Sequence, residues 1–183
     1  RDANGHPVNG PICANPHGAY GYSDLTAALA IQGINNINTK NLYQIGVWWI
    51  DAGWYENSGG DTGWQETGDW NPDPVRYPDG MKPVADAVHA VGRKFVLWFE
   101  PERVQSATDF WSYANSRGWL FTTGGTYHRM LKMGNSAAWT YIKNKISGII
   151  SSVGIDIYRH DFNYPLPLGD WRAADATDRQ GIT

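Results

Sequence analysis

Residues 155–163 read Ile-Asp-Ile-Tyr-Arg-His-Asp-Phe-Asn, an apolar run that ends at the carboxylate of Asp161. Two earlier runs have the same form. Residues 47–51 (Val-Trp-Trp-Ile-Asp) end at an aspartate, and residues 95–100 (Phe-Val-Leu-Trp-Phe-Glu) end at a glutamate. A buried strand that presents a polar residue at its carboxyl end is typical of parallel α/β barrels, whose active sites lie at that end. The three runs therefore predict an α/β fold with acidic side chains gathered at one edge of a parallel sheet.

The segments between the apolar runs carry helical patterns. Helices are expected from Ser23, with a break, to Ile45; from Pro83 to Val91; from Thr108 to Arg117; and after the cap residue Asn135. The apolar stripe of the last helix consists of Trp139, Ile142, Ile146, Ile149 and Ile150, and a small hairpin is expected around residues 124–125. With a short first strand at 11–14, the order predicts four parallel strands joined by right-handed crossovers. Four such units are half of a (β/α)8 barrel, which takes about 250 residues. We expect a single partial half-barrel domain over 1–183, with an irregular lead-in at 1–10 and an irregular tail at 165–183.

The composition excludes several classes of protein. The chain has 183 residues, of which 42% are hydrophobic, and a net charge of −3, which argues against a nucleic-acid surface. No apolar run reaches the length of a membrane-spanning helix, so no membrane partner is expected. The single cysteine, Cys13, excludes an internal disulfide, and no secretion signal is visible. These observations favour a cytoplasmic location.

The alternation of side chains along a strand gives the carboxylates their neighbours. Asp161 and Arg159 share one face of the last strand, whereas His160 points to the other face, towards the helices. The same rule places Trp98 on the face of Glu100. An arginine beside Asp161 favours the ionised carboxylate and lowers its pKa, and a nucleophilic carboxylate must be ionised.

A long loop over residues 52–80 contains three tryptophans, Trp54, Trp64 and Trp70, in a polar, glycine-rich setting. Loops of this length inside a compact domain are usually functional. Aromatic faces stack on the C–H faces of sugar rings, and they also fill cores. The clustering favours ligand contact for at least one of the three.

The acidic residues and the long loop are also compatible with structural roles or with a metal site. Asp51, Glu100 and Asp161 could form a buried ion-pair layer, or an oxygen-only Mg²⁺ or Ca²⁺ site in a metal-dependent barrel enzyme. Residues 100–103 could be an ordinary strand exit with a salt bridge. The loop could be a surface loop in which Trp70 packs against other residues of the same loop.

Four motifs occur in a fixed order along the chain: Ile-Asp-Ala-Gly-Trp at 50–54, Gly-Asp-Trp at 68–70, Leu-Trp-Phe-Glu-Pro-Glu at 97–102 and Asp-Phe-Asn at 161–163. In this order they resemble glycoside hydrolase family 36, the melibiase-type α-galactosidases. The resemblance runs from about Trp48 to the last residue. Residues 1–46 share only the strand–helix pattern.

The resemblance implies the N-terminal half of a catalytic (β/α)8 barrel that hydrolyses α-galactosides with retention, using two carboxylates. It implies that Asp161 is the nucleophile, that Asp51 binds sugar hydroxyls and that Trp70 borders the galactose pocket. The remaining substrate-binding residues that it implies are Trp54, Glu100, Arg129, Arg159 and Asn163. No cofactor or metal is expected.

The chain departs from the family pattern in three respects. Arg159 replaces a lysine, and Asp51-Ala52 replaces a pair of aspartates. The acid/base aspartate of the family comes from the sixth strand, and this chain ends earlier. We therefore expect a fragment that is inactive or weak alone, and that pairs with a second copy or with a missing C-terminal half through its open strand edges. The alternative is a non-catalytic half-barrel that binds sugar or acts as a scaffold and self-associates.

Overall fold

The computed structural model describes residues 11–42, 44–122 and 125–163 of the chain. Six strands are present in this part: β1 Ile12–Ala14, β2 Ile45–Ile50, β3 Lys94–Phe99, β4 Arg103–Gln105, β5 His128–Met130 and β6 Ile157–His160. The main sheet has the order β1-β2-β3-β6 and all of its pairs are parallel. Strands β4 and β5 form a separate antiparallel pair. The predicted α/β class with four parallel strands is confirmed.

Five α-helices accompany the strands in the described residues: α1 His17–Tyr20, α2 Ala27–Thr39, α3 Lys82–Ala90, α4 Asp109–Ser116 and α5 Ser136–Val153. Phe95 and Leu97 of β3 are fully buried and belong to one core cluster with Ile34 of α2, Val88 of α3 and Ile142 of α5. The apolar runs of the sequence thus become the centre of the sheet, as a parallel sheet covered by helices requires.

The register of the sheet brings the ends of its strands level. Trp49 of β2 lies opposite Val96 of β3, and Trp98 of β3 lies opposite Arg159 of β6. Because the strands are parallel and level, Asp51 and Asp161 follow the carboxyl ends of β2 and β6 at the same edge. This is the edge at which the sequence predicted the site.

The second helix differs from its prediction at both ends. It begins after Thr26, whose hydroxyl accepts the amide of Leu29 at 3.2 Å, and not at Ser23. It runs unbroken through Gly33 and ends at Thr39, so Ile45 belongs to β2. The glycine is required by packing: a Cβ there would lie 2.6 Å from the indole of Trp48.

The last helix has the predicted cap, with one correction to its buried face. The Asn135 side chain accepts the amides of Ala137 and Ala138, both at 3.1 Å, and the helix ends at Gly154, whose φ is 81°. Trp139, which the periodicity placed in the apolar stripe, is 47% exposed.

The hairpin expected around residues 124–125 is supported by its flanks. The Phe121 amide donates to the Met130 carbonyl at 3.0 Å, and the Lys132 amide donates to the Trp119 carbonyl at 2.7 Å. The predicted lead-in, the tail and residues 123–124 lie outside the described residues. In the described ranges, no helix has the length and apolarity needed to cross a bilayer.

Candidate active site

A cavity of about 110 Å³ opens at the carboxyl ends of β2, β3 and β6. Four of the predicted site residues line it, namely Asp51, Arg159, Asp161 and Asn163. Trp64, which also lines it, is one of the three loop tryptophans for which ligand contact was expected of at least one, whereas the sequence did not assign Tyr22, Ala52 or Trp98 to the sugar site. The cavity is polar on the carboxylate side and aromatic on the other, a combination suited to a sugar ring.

Asp161 is held by donors that favour its ionised form. Its Oδ2 accepts the indole N–H of Trp98 at 2.9 Å, the guanidinium of Arg159 at 2.9 Å and the side-chain amide of Asn163 at 3.2 Å. Its Oδ1 accepts the backbone amide of Phe162 at 2.9 Å. Partial burial opposes ionisation, but the hydrogen bonds, led by that of Trp98, and the charge of Arg159 outweigh it and lower the pKa of Asp161.

Arg159 lies on the face of β6 that the alternation predicted. Its guanidinium sits 4.5 Å from the centroid of the Trp49 ring while it donates to Asp161. His160 takes the opposite direction and pairs with Glu102 at 2.8 Å. That hydrogen bond raises the pKa of His160. Arg159 of β6 and Asp161, which follows the strand, therefore face the cavity, whereas His160 does not.

Asp51 is anchored by a segment that precedes the second helix. Its Oδ1 accepts the amide of Ala52 at 2.8 Å, and its Oδ2 accepts the side-chain amide of Asn15 at 3.2 Å. The ring of His17 lies 3.0 Å from the Ala52 carbonyl, and burial lowers the pKa of this histidine. Residues 15–22 are thus fastened to the end of β2 by side chains.

Tyr22 and Trp64 form the aromatic wall of the cavity, with ring centroids 5.6 Å apart. Gly53 makes this arrangement possible because its φ is 90° and a Cβ would lie 2.0 Å from the Tyr22 carbonyl oxygen. Of the three tryptophans in the long loop, Trp64 is the one that lines the cavity.

Trp54 and Trp70, both predicted to bind substrate, lie in the core instead, each 1% exposed. The Trp54 indole donates to the Trp98 carbonyl at 2.9 Å, and the Trp70 ring packs against Trp98 and Phe99. Both therefore support the floor of the cavity rather than its surface.

The Gly-Asp-Trp motif has a structural use that explains where Trp70 points. The Asp69 carboxylate accepts the amides of Asp109 at 2.9 Å and Phe110 at 2.7 Å, which are unpaired donors in the first turn of α4. The motif therefore fastens the long loop to the start of α4 and turns Trp70 inward.

Glu100 and Arg129 also lie off the cavity surface. Glu100 is fully buried and paired with Arg103, as in the strand exit with a salt bridge that the sequence left open. The Arg129 guanidinium bonds to Asn115 at 3.0 Å and lies 4.8 Å from the centroid of Trp111. Within the described residues, no group of three or more His, Cys, Asp or Glu side chains could hold a metal ion, so the metal-dependent alternative has no ligand set there.

Comparisons with known proteins show which family the chain belongs to. Residues 11–181 match the sequence profile of the melibiase family. An α-galactosidase of Escherichia coli is 28% identical over 140 residues, which cover 72% of this chain and 19% of that enzyme. Alpha-galactosidase 2 of Pediococcus pentosaceus is 25% identical over 153 residues, 79% of this chain and 21% of the enzyme. The chain thus spans about a fifth of the length of these relatives.

Solved structures of α-galactosidases share the fold. The enzyme from Lactobacillus brevis superposes with a TM-score of 0.73 at 26% identity, covering 86% of this chain and 21% of that one. A variant of the family 36 enzyme AgaA from Geobacillus stearothermophilus, solved with raffinose, gives a TM-score of 0.72 at 22% identity and covers 94% of this chain and 25% of its own. The motifs, the strand-end site and the match over residues 11–181 lead to one assignment: the chain belongs to the melibiase family, with the fold of glycoside hydrolase family 36.

Proposed function

We propose that this chain carries the nucleophile and part of the sugar site of a retaining α-galactosidase. The observation that carries the proposal is the environment of Asp161. One oxygen is held by three side-chain donors, whereas Oδ1 receives only the backbone amide of Phe162 among the hydrogen bonds of the described residues. Oδ1 therefore keeps a lone pair for an incoming anomeric carbon.

The proposed chemistry follows from this geometry. Asp161 Oδ1 attacks the anomeric carbon, the glycosidic C–O bond breaks, and the aglycone oxygen leaves with a proton from a second carboxyl group. Water then hydrolyses the glycosyl ester and returns Asp161 as a carboxylate. The two carboxyl groups of a retaining enzyme stand about 5–5.5 Å apart. By the family resemblance, the second one belongs to a later strand, so we infer weak or no turnover of ordinary galactosides by these 183 residues alone.

The rest of the cavity supplies the sugar contacts. Asp51 offers carboxylate oxygens to hydroxyl donors, while Arg159 and Asn163 offer donors to hydroxyl oxygens. The aromatic wall of Tyr22 and Trp64 would stack on the apolar face of the ring. An α-galactoside is the substrate class, in keeping with the relatives that carry the name α-galactosidase.

Covalent trapping tests the nucleophile without the second carboxyl group. A 5-fluoro-α-galactosyl fluoride has a leaving group that needs no acid, so it should label Asp161 in the purified chain, as located by peptide mass mapping. Asp161→Asn should abolish the label, and Asp51→Asn should slow it. A label on another residue, or none on the folded chain, would refute the proposal.

A second candidate, a sugar-binding or scaffold unit that self-associates, is favoured by one surface. Beside the edge strand β6, an apolar groove is lined by Ile142, Ile146, Ile150 and Tyr158, and Trp139 at its rim is 47% exposed. A second copy of the chain would cover it. Sedimentation that gives a dimer, together with galactose binding without labelling of Asp161, would favour this candidate; a monomer at micromolar concentration would dismiss self-association.

A further inference from the structure

A buried ion pair lies directly beneath the cavity. The side chains of Glu100 and Arg103 are 0% and 3% exposed, and both carboxylate oxygens are used, at 2.9 Å to Nε and 2.6 Å to Nη2. Pairs of this kind rarely add stability, because the desolvation of two charges offsets their attraction. The other contacts of the pair indicate a role besides stability.

The glutamate end of the pair reaches the turn that follows Asp161. Glu100 Oε1 accepts the backbone amide of Asn163 at 2.6 Å. The side chain of the same asparagine donates to Asp161 Oδ2 at 3.2 Å. Glu100 thus fixes the backbone of a residue that orients the carboxylate, although it does not touch the cavity itself.

The arginine end of the pair reaches the opposite wall. Arg103 Nη1 donates to the Gln65 carbonyl at 2.9 Å, and the guanidinium lies 5.4 Å from the centroid of the Trp64 ring. The Arg103 carbonyl also accepts the Thr67 hydroxyl at 2.7 Å. The turn that carries Trp64 is therefore tied to the same two side chains as the turn after Asp161.

We propose that Glu100 and Arg103 are positioning residues that hold Asp161 at a fixed distance from the Trp64 wall. The proposal rests on the proposed function for its consequence in catalysis, but the geometric link is independent of it. Each residue reaches a different wall, and their bidentate pairing, which allows little rotation, joins the two. Loss of either partner should release one wall while the strands stay in place.

Two variants test the two ends. Glu100→Gln keeps the shape of the side chain but loses its charge. Arg103→Met keeps most of the side-chain volume but loses the guanidinium group and its two hydrogen bonds to Glu100. The matched control is Arg76→Met, which breaks an arginine–aspartate pair with the same spacing along the chain, whose side chains are also mostly buried, at 11% and 14% exposure. Arg76 does not line the cavity.

Three readouts are taken on each variant: hydrogen exchange of the Asn163 amide, the rate of Asp161 trapping and the melting temperature. In Glu100→Gln we expect the exchange rate of the Asn163 amide and the trapping half-time each to rise by about tenfold, because a neutral acceptor replaces a charged one in the hydrogen bond to that amide. The Arg76→Met control should lower the melting temperature without either change. Arg103→Lys, which keeps one charged contact, should recover much of the trapping rate lost in Arg103→Met.

The outcomes separate the two proposals. If the wild-type chain is not trapped, the proposed function fails, and the Asn163 exchange alone decides whether the pair positions the turn. The positioning role is overturned if the Asn163 amide exchanges at the same rate in Glu100→Gln as in the Arg76→Met control while the two variants have similar melting temperatures. If Glu100→Gln does not fold, Arg103→Lys and Arg103→Met supply the same comparison, and equal trapping rates in those two would also overturn it.

Discussion

Replacement of Trp70 by phenylalanine distinguishes the core position found here from the sugar contact that the family resemblance implied. Trp70 is 1% exposed and its indole N–H has no hydrogen-bond partner among the described residues. Indole and phenyl rings differ by roughly 40 Å² of buried surface, which costs about 1 kcal/mol. Phenylalanine also removes the unsatisfied buried N–H, which should raise the free energy of unfolding by about 1–3 kcal/mol.

The balance lies between zero and about 2 kcal/mol in favour of the variant, so Trp70→Phe should be at least as stable as the wild type in urea unfolding. Trp70→Ala, which leaves a cavity, should lose about 3–5 kcal/mol. Because Trp70 does not line the cavity, galactose affinity measured by calorimetry should change by less than about threefold in Trp70→Phe.

The matched control is Trp64→Phe, which alters the cavity wall at an only partly buried position. It should weaken galactose binding while the urea midpoint stays close to that of the wild type. If Trp70→Phe instead lost affinity by about tenfold or more without loss of stability, Trp70 would have to contact the sugar, and the core assignment would be refuted.

Three further substitutions have defined outcomes. Gly53→Ala should destabilise the chain by roughly 2 kcal/mol or more and weaken galactose binding, because its Cβ would meet the Tyr22 carbonyl oxygen at 2.0 Å; unchanged unfolding and binding would contradict this. Asp156 accepts hydrogen bonds from His89 and from the Phe95 amide, which outweigh partial burial and lower its pKa. Its contribution to folding stability is therefore present above the pKa of the unfolded aspartate and is lost as the pH falls through the pKa of the folded one. Asp156→Asn should therefore cost roughly 1–2 kcal/mol near pH 7, and a difference from wild type that did not shrink as the pH falls below the ordinary aspartate pKa would count against it. The hydrogen bond to Glu102 raises the pKa of His160. The contribution of this pair to folding stability is therefore complete below the pKa of the unfolded histidine and is lost as the pH rises through the pKa of the folded one. The melting temperature of His160→Gln should fall further below the wild type at about pH 5.5 than at about pH 8.5, and the opposite order would exclude the pair.

The parts of the fold that the sequence predicted well are those with a strong local signal. Apolar runs of five or six residues located β2 and β3, and Asn135 located the start of α5. The first turn of α2 was misplaced because serine is by type a better cap than threonine, and only the hydrogen bond from the Leu29 amide to Thr26 identifies the true cap. Strands β4 and β5 have three residues each and carry charged side chains, so no pattern marked them.

The candidate site was predictable where strand alternation applies and not beyond it. Asp161, Arg159 and Trp98 share a face because they lie on, or directly after, paired strands. Alternation fails at Glu100, since β3 ends at Phe99 and Pro101 turns the chain, which directs the carboxylate down towards Arg103.

Residues 15–22 could not have been assigned to the site from sequence. Asn15 and Tyr22 approach Asp51 and Gly53 only through long-range contacts, and nothing in their local pattern marks a ligand site. Their place in the site depends on how close residues 15–22 come to residues 51–53 in the fold, which residue types alone do not indicate.

The anchoring of the long loop has a consequence for selectivity among sugars. Asp69 caps α4, and Thr67 exchanges hydrogen bonds with the chain at Arg103 and Gln105, so the rim that carries Trp64 is ordered before any ligand arrives. A preorganised rim loses little conformational entropy on binding. It also adapts poorly, so under the proposed function an epimer with a single inverted hydroxyl would leave a donor or acceptor unmatched and bind more weakly.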